Sequence, residues 1–550
     1  MESEPECDPA FVGDLFEQLF RMEKVTRKSA SSSDIKNFPF INAGTFRPEF
    51  FSSRQERWLI ALLCFVAALR IFFFSAAFPF FNNVDEQLHL DLILKYSQNQ
   101  WPSLETQPVN RETLRNMFLF GTNEYLHRAE EFPGGRFGLP RYAWPSGIRE
   151  QGLRICVAPT NPGNMEEYSP PLYYLLAGKW LSWGKMMGLR NAGLLYWTRF
   201  MNIPLYIALT ILAYAIGRRL PYRDHAMAFG LPLLVAFMPQ DVFFSLNPDV
   251  LTPIFSGIAF LLVIIIALGR QYNWRHYILL GISISAALLT KLANLPLLLM
   301  TISLLAVKNI PRIRAGISVR SVGCAAAFSL SLGLPAAVWA IRNFLTIGDW
   351  TGTCHKTAAL GWKYKSLSDI LPHPIFSFSG MGYFLHNLFA TFWRGEFVWG
   401  SKPLAPSYMD YFYSISTIVL LLTACFYLMQ VRGSSAEKTI VSVSLAGLLS
   451  ALGYMAALSM VFDFGACFYP SAAKPFFASG RLILCVMFPI FFCYTWTIDR
   501  MVTTHMRYIR GIFVIITVCV LMTLCSISFL GKPLSSVYNF FHIPLGELSD

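Results

Sequence analysis

Long apolar runs separated by short polar loops make up most of this chain. A run of about 20 apolar residues is long enough to cross a bilayer as a helix. The pattern therefore predicts an all-α polytopic membrane protein with about 11–12 transmembrane helices. The runs that carry this prediction are 58–81, 194–216, 227–244, 251–268, 277–289, 292–307, 322–341, 411–429, 440–461, 482–498 and 512–529.

The composition of the chain agrees with this fold class. Its 550 residues are 54% hydrophobic and 14% charged, whereas soluble domains carry about 25% charged residues. A net charge of +12 could indicate nucleic-acid binding, but the basic residues cluster in loops between apolar runs, as expected if they orient the helices. We therefore expect the lipid bilayer, and no nucleic acid, as a partner.

The basic loops also predict an orientation. They would lie in the cytoplasm together with the N-terminus, a polar tail at 1–53 that precedes a transmembrane domain at 54–550. If the apolar stretch at 170–183 crossed the membrane fully, a basic segment would lie on the outer face. We therefore expect a juxtamembrane or partly embedded helix there. Three long segments are left for the outer face: 82–168, 343–410 and 463–479.

Two adjacent carboxylates and a histidine directly follow the first apolar run. Asp85, Glu86 and His89 would share one side of a helix, because residues three or four apart are neighbours. Ionisable groups at the end of a membrane helix are candidates for function, and a carboxylate there can act as a general base or hold a divalent cation. The structural alternative is a helix cap, since aspartate favours helix N-termini.

Further charged positions are predicted on the same face. Asp249 follows Pro248 in a turn and would add a second acidic site, although such a turn is also common for structural reasons. Arg481 could bind a phosphate or extend towards lipid headgroups. Arg394 lies beside aromatic residues, and it could bind a sugar or headgroup or could anchor the chain at the membrane interface. Lys291 lies in a break between two short apolar runs, where polar backbone needs cover from protein or water.

Taken in order along the chain, these motifs resemble a bacterial family of polytopic proteins described as predicted membrane proteins of unknown function, which is related in architecture to the GT-C glycosyltransferases. The resemblance covers nearly the whole chain after residue 57. The chain departs from the family pattern at Pro248 and Leu482, where asparagine and tyrosine are common. The matching motifs are Asp85-Glu86 with His89, Pro170-Pro171-Leu172-Tyr173-Tyr174, Met238-Pro239-Gln240, Asn247-Pro248-Asp249, Leu289-Thr290-Lys291-Leu292, Arg342-Asn343 with Gly348-Asp349, Phe392-Trp393-Arg394-Gly395 and Ser479-Gly480-Arg481.

The resemblance implies a GT-C-like fold with juxtamembrane helices in a large first outer loop. It implies an enzyme of the plasma (inner) membrane, a glycosyltransferase that moves a sugar from a polyprenyl-phosphate-linked donor to an envelope glycan, lipid or protein on the extracytoplasmic face. Asp85 would be its base or metal-site acid, supported by Glu86 or His89.

The resemblance also implies the remaining parts of the site. Asp249 would be a second acid, and Lys291, Arg394 and Arg481 would hold the donor. No cofactor is required by the sequence, although Asp85 and Asp249 could together hold Mg²⁺ or Mn²⁺.

Two other functions fit the same residues. A transporter or flippase of a lipid-linked saccharide would line its pathway with these charges, and it would move the intact donor instead of releasing free polyprenyl phosphate. A non-catalytic partner in envelope assembly would tolerate the joint replacement of Asp85 and Asp249 by asparagine, but not deletion of the gene. The sequence does not specify the sugar, the acceptor or the oligomeric state.

Overall fold

The apolar runs of the sequence fold as helices in the computed structural model. The structure describes residues 53–546 except 83–84, 102–106, 157–162, 270–272, 315–318, 431–434, 468 and 506–509. The described residues from Arg54 onward form one unit. The tail predicted at 1–53 lies outside the described residues apart from Ser53, and it stays a prediction.

Alpha helices make up most of the described chain. In order they are α1 Ser53–Ala77, α2 Glu86–Ser97, α3 Arg111–Phe120, α4 Ser146–Cys156, α5 Leu172–Met186, α6 Asn191–Phe200, α7 Asn202–Gly217, α8 Gly230–Phe237, α9 Thr252–Leu268, α10 Trp274–Thr290, α11 Leu295–Arg314, α12 Val319–Ile347, α13 Thr353–Ala359, α14 Leu367–Ile370, α15 Phe378–Arg394, α16 Ser407–Gln430, α17 Ser435–Val461, α18 Met487–His505 and α19 Gly511–Ser535. Short 3-10 helices include Asp241–Phe243, Pro248–Val250, Leu292–Asn294 and Gly480–Val486.

In the described parts of the long segments predicted on the outer face, there are four two-residue strands. They are β1 Lys363–Tyr364, β2 Val398–Trp399, β3 Lys402–Pro403 and β4 Phe462–Asp463. Strand β1 pairs antiparallel with β4, and β2 pairs antiparallel with β3. The first pair joins the segment 343–410 to the segment 463–479, so these two loops form one layer.

Eight segments of the described chain are long and apolar enough to cross a membrane. They are Arg54–Ala77, Asn191–Gly217, Pro248–Leu268, Ser321–Ile347, Ser407–Gln430, Ala436–Val461, Gly480–Thr504 and Gly511–Ser535. His225–Phe237 and Leu292–Ala306 are apolar but shorter, and the 17-residue α10 completes the helices that the eleven runs predicted. The predicted all-helical, multi-pass membrane fold is confirmed.

Helix α5 occupies the ambiguous stretch at 170–183. Its 15 residues extend about 22 Å at 1.5 Å per residue, less than the roughly 30 Å of bilayer hydrocarbon. It packs against α2, and this approach is close because a Cβ on Gly178 would lie 3.0 Å from the backbone nitrogen of Ser97. Both observations agree with the predicted juxtamembrane helix.

Candidate functional site

A narrow cleft gathers charged side chains from segments that are far apart in the sequence. Asp85, His89, Lys291 and Arg481, all predicted as site residues, lie together in its lining. The described lining is Asp85, His89, Glu166, Ser169, Pro170, Tyr174, Pro248, Thr290, Lys291, Lys356 and Arg481. Its volume of about 30 Å³ is enough for one or two water molecules, so a sugar can enter only if the cleft widens.

Asp85 stands at the N-terminal end of α2 in an unusual backbone conformation. Its φ is 63° and its ψ is 22°, in the left-handed region, and its side chain makes no capping hydrogen bond to the described start of the helix. A left-handed non-glycine residue is uncommon and often occurs at a functional site. The side chain is 37% exposed and lies 3.8 Å from the guanidinium of Arg481. The alternative reading as a helix cap therefore does not describe this carboxylate.

Arg481 lies between two carboxylates. Its Nη2 is 3.8 Å from Asp85 Oδ2, and its Nε is 3.4 Å from Glu396 Oε2. Nη1 is buried and has no hydrogen-bond partner among the described residues, and Nε faces Glu396 without a hydrogen bond to it. Because buried donors are nearly always paired, the N–H group of Nη1 could bind an anionic oxygen. Gly480 places the arginine, since any side chain there would clash with the backbone of Phe392.

Lys291 brings the predicted acid Asp249 to the edge of the cleft. Its Nζ lies 2.6 Å from Asp249 Oδ2, and the carboxylate is almost fully buried. Lys291 directly follows the last residue of α10 and has an extended backbone. The break that the sequence predicted between two apolar runs therefore lies at this residue, and it directs the side chain towards the cleft. Burial lowers the pKa of Lys291, although the carboxylate of Asp249 opposes this effect.

Glu166 and Lys356 form a further ion pair at the cleft, and the sequence did not single them out. Ser169 Oγ also donates a hydrogen bond of 2.5 Å to Glu166 Oε2. Burial alone would raise the pKa of Glu166, but the charge of Lys356 and the hydrogen bonds from Lys356 and Ser169 hold it well below its usual range. Glu166 is thus an ionised partner of Lys356 at neutral pH. Both residues lie in long polar segments without a distinctive local pattern, and only the nearby Pro170-Pro171 motif marks the first of them.

His89 is a neutral member of the cleft. Its Nδ1 lies 3.0 Å from the hydroxyl of Tyr174, which comes from the facing helix α5. Burial, followed by the nearby cations, lowers the pKa of His89 to about 3. The imidazole is therefore uncharged at neutral pH, and it can orient a substrate group or a water by one hydrogen bond.

Glu86 has a different position from its neighbour Asp85, and its predicted place in the site is corrected. The described lining of the cleft does not include it. Its fully buried carboxylate binds Arg199 Nη2 at 2.6 Å and Arg199 Nε at 3.0 Å, and it also accepts hydrogen bonds from the backbone of Phe81 and Leu246. Successive helical residues point about 100° apart. Glu86 therefore faces the protein core, where it fixes α2 to α6.

Arg394 is also outside the cleft, contrary to its prediction as a substrate-binding residue. Its Nε and Nη2 lie 2.6 Å and 3.0 Å from the two carboxylate oxygens of Asp410. The Arg394 side chain is 8% exposed, and this bidentate pair joins the end of α15 to the start of α16. The residue has a structural role, because its donors are already committed to Asp410.

A buried acidic pair lies behind Arg481 and adds a titratable group to the site. Asp241 Oδ2 accepts a hydrogen bond of 2.5 Å from the backbone nitrogen of Glu396, while Ser479 Oγ donates to Glu396 Oε2 at 2.9 Å. Burial, and then the charge of Glu396, raises the pKa of Asp241 to about 7. Asp241 can therefore gain or lose a proton near neutral pH beside the arginine.

The expectation of a divalent cation receives no support from the arrangement of carboxylates. Across the described ranges, no three His, Cys, Asp or Glu side chains come together as a metal-ligand set. The carboxylate of Asp85 faces Arg481, and that of Asp249 faces Lys291. A Mg²⁺ or Mn²⁺ site at these two residues stays a prediction.

Comparison with known proteins places the chain in a family. A family model described as a predicted membrane protein, DUF2142, matches residues 64–462. No curated protein matches the chain. This family match confirms the resemblance to predicted membrane proteins.

Two solved structures are similar to the chain at low levels. The oligosaccharyltransferase of Archaeoglobus fulgidus, in complex with Zn and sulfate, is 12% identical with a TM-score of 0.33, and the match covers 81% of this chain and 52% of that one. ArnT from Cupriavidus metallidurans, bound to undecaprenyl phosphate, is 12% identical with a TM-score of 0.35 and coverages of 88% and 77%. The chain thus spans about half the length of the first structure, and both TM-scores are too low to assign a function. By the family match, the chain belongs to the DUF2142 family of predicted membrane proteins.

Proposed function

We propose that this protein is a membrane glycosyltransferase that takes a sugar from a polyprenyl-phosphate-linked donor on the extracytoplasmic face of the plasma membrane. The observation that carries the proposal is the cleft in which the half-exposed Asp85 lies near three cationic side chains, Lys291, Lys356 and Arg481. A base and a cluster of cations are what transfer from a phosphate ester to a hydroxyl requires.

The position of the cleft suits a donor with a lipid tail. Asp249 and Arg481 each lie in the first turn of a candidate membrane span, at Pro248–Leu268 and Gly480–Thr504, and Asp85 follows the span Arg54–Ala77 closely. These positions support a cleft at a membrane boundary. A phosphate carried on a lipid would be held at this level, with its tail among the helices.

Asp85 would act as the general base. The oxygen of the acceptor hydroxyl forms a bond to the anomeric carbon of the sugar, the bond from that carbon to the phosphate oxygen breaks, and the hydroxyl proton passes to Asp85. Polyprenyl phosphate leaves with the bonding electrons. Arg481 and Lys291 would stabilise its negative charge, because fixed cations are most effective where charge develops in a water-poor site.

The test compares Asp85→Asn with a matched control, Asp369→Asn, which replaces an exposed aspartate in α14. Both proteins are purified and incubated with polyprenyl-phosphate monosaccharides and a membrane extract as acceptor, and release of free polyprenyl phosphate is measured. Loss of the base should slow transfer about 100-fold or more, whereas the control should retain full activity. Unchanged transfer by Asp85→Asn would remove this residue from the role.

The same proteins in liposomes separate an enzyme from a flippase. Movement of the intact donor across the bilayer without release of polyprenyl phosphate would contradict the proposal. Normal envelope glycans in a strain that carries Asp85→Asn with Asp249→Asn, together with their loss in a deletion strain, would instead identify an assembly protein.

A further inference from the structure

A second and larger cavity shares helix α2 with the cleft. Its volume is about 550 Å³, within the roughly 300–1,000 Å³ of typical ligand pockets. Helix α2 and the residue that caps it contribute His89 and Asp85 to the cleft, whereas the helix contributes Leu90 and Leu94 to this cavity. Because these two pairs lie on different sides of the helix, α2 is a wall between the two spaces.

Leucine side chains form the apolar part of the cavity lining. Six leucines line it, and Leu189 among them is only partly buried. The other five come from three helices and are each at most 6% exposed: Leu90, Leu94, Leu181, Leu194 and Leu195. A hydrocarbon group that enters the cavity can pack against this apolar part of the lining.

The mouth of the cavity is cationic. The described lining contains three cationic side chains, Arg115, Lys185 and Arg190, and one carboxylate, Glu112. Lys185 Nζ lies 3.3 Å from Glu112, with side chains 38% and 36% exposed, and exposed ion pairs of this kind are weak. An incoming anion can therefore compete for Lys185, with Arg115 beside it.

A buried polar group points to a ligand with a hydrogen-bond donor. Asn116 is 3% exposed and lines the cavity, and its Oδ1 has no partner in the part of the chain that the structure describes. Buried acceptors are nearly always satisfied. A hydroxyl group on a bound molecule would supply the missing donor.

The cavity also lies at a membrane boundary. Asn191, one of its lining residues, is the first residue of the candidate span Asn191–Gly217. Arg115 Nη1 donates a hydrogen bond of 2.9 Å to Asn191 Oδ1, which fixes this cation at the end of the span. Arginine and lysine side chains bind phosphate oxygens by charge-assisted hydrogen bonds, so a cation at this position can bind a lipid phosphate.

We propose that this cavity binds an anionic lipid whose headgroup carries a phosphate and a hydroxyl group. The phosphate contacts Arg115 and Lys185, the hydroxyl donates to Asn116, and the first part of the lipid tail lies on the five leucines. The site goes beyond the proposed glycosyl transfer and does not depend on it.

The test measures binding of short-chain phosphatidylglycerol to the delipidated, full-length protein by native mass spectrometry. The double variant Arg115→Gln with Lys185→Gln should lose about ten-fold or more in affinity, because it removes charge-assisted hydrogen bonds. The control is Arg136→Gln, which replaces an exposed arginine outside the cavity lining and should bind as the unchanged protein does. If the double variant fails to fold, Lys185→Gln alone is used, since that side chain is partly exposed.

Three comparison ligands test the chemistry of the site. Glycerol phosphate should bind at least about ten-fold more weakly, because it lacks the tail that the leucines contact, and short-chain phosphatidylcholine should also bind weakly. Asn116→Ala should bind phosphatidylglycerol and phosphatidylmethanol equally, whereas the unchanged protein prefers the first. Equal binding of glycerol phosphate, equal binding of phosphatidylcholine, or full affinity in the double variant would each overturn the proposal.

Discussion

Replacing Glu86 by glutamine should destabilise the protein by about 3–5 kcal/mol, the usual cost of breaking a buried ion pair. Both side chains of the pair with Arg199 are fully buried. Glutamine keeps the shape of glutamate, but it removes the charge that balances the guanidinium. Arg199 retains its hydrogen bonds to the backbone carbonyls of Ser75, Phe78 and Pro79, so the loss comes mainly from an uncompensated buried charge.

The measurement is the apparent unfolding temperature of the purified protein in detergent, recorded at a fixed heating rate because such unfolding is often irreversible. The neighbouring variant Asp85→Asn is the control. Its side chain is 37% exposed and 3.8 Å from Arg481, so its pair should contribute only about 0–1 kcal/mol. Glu86→Gln should therefore unfold at a clearly lower temperature than Asp85→Asn, even though the two residues are adjacent.

A third variant isolates the ion pair as the cause. Replacing both partners, by Glu86→Leu with Arg199→Met, removes both charges and should recover part of the stability, because apolar residues often replace buried ion pairs without loss. Equal unfolding temperatures for Glu86→Gln and Asp85→Asn would refute the assignment of Glu86 to the core.

Three further predictions concern the residues around Arg481. Gly395→Ala should cost about 1–3 kcal/mol in unfolding measurements, since Gly395 has a φ of 76° and its Cβ would collide with the carboxylate of Asp241; stability equal to that of the unchanged protein would contradict this. Arg394→Lys should lose about 1.5–3 kcal/mol with its bidentate contact to Asp410, but donor binding measured with undecaprenyl phosphate should persist. For Asp241, burial raises the pKa of the folded state to about 7, above the unfolded value of about 3.9, so the folded protein should lose stability as pH rises from about 4 to 7. The variant Asp241→Asn should not lose stability over this pH range. If its unfolding temperature has the same pH profile as that of the unchanged protein, the prediction is refuted.

The helices could be predicted from the sequence because their cause is local. Each apolar run of sufficient length must bury its backbone polar groups in helical hydrogen bonds, and the runs at 58–81 and 512–529 both appear as long helices. The short helix α5 also agrees with the distribution of basic loops, which argued against a full crossing at 170–183.

The site was only partly predictable, because side-chain direction depends on packing. Asp85, His89, Lys291 and Arg481 lie in one cleft, as expected for charges at the outer ends of helices. The sequence could not separate Glu86 from Asp85, since adjacency in the chain does not reveal which residue faces Arg199.

Glu166 and Lys356 were missed for a different reason. They come from long polar segments, where one carboxylate or lysine resembles any other until the fold brings it to the site. Their pairing with each other, like the pairing of Glu396 with Arg481, is a tertiary property that no local pattern records.

The left-handed backbone of Asp85 restricts which residues this position can accept during evolution. Only glycine, asparagine and aspartate adopt that conformation readily, so alanine or glutamate would cost backbone energy besides changing the chemistry. Natural variation at this position should therefore be confined largely to those three residues. Within that set, a relative with aspartate has kept the carboxylate, and a relative with asparagine or glycine has kept the fold while giving up the base.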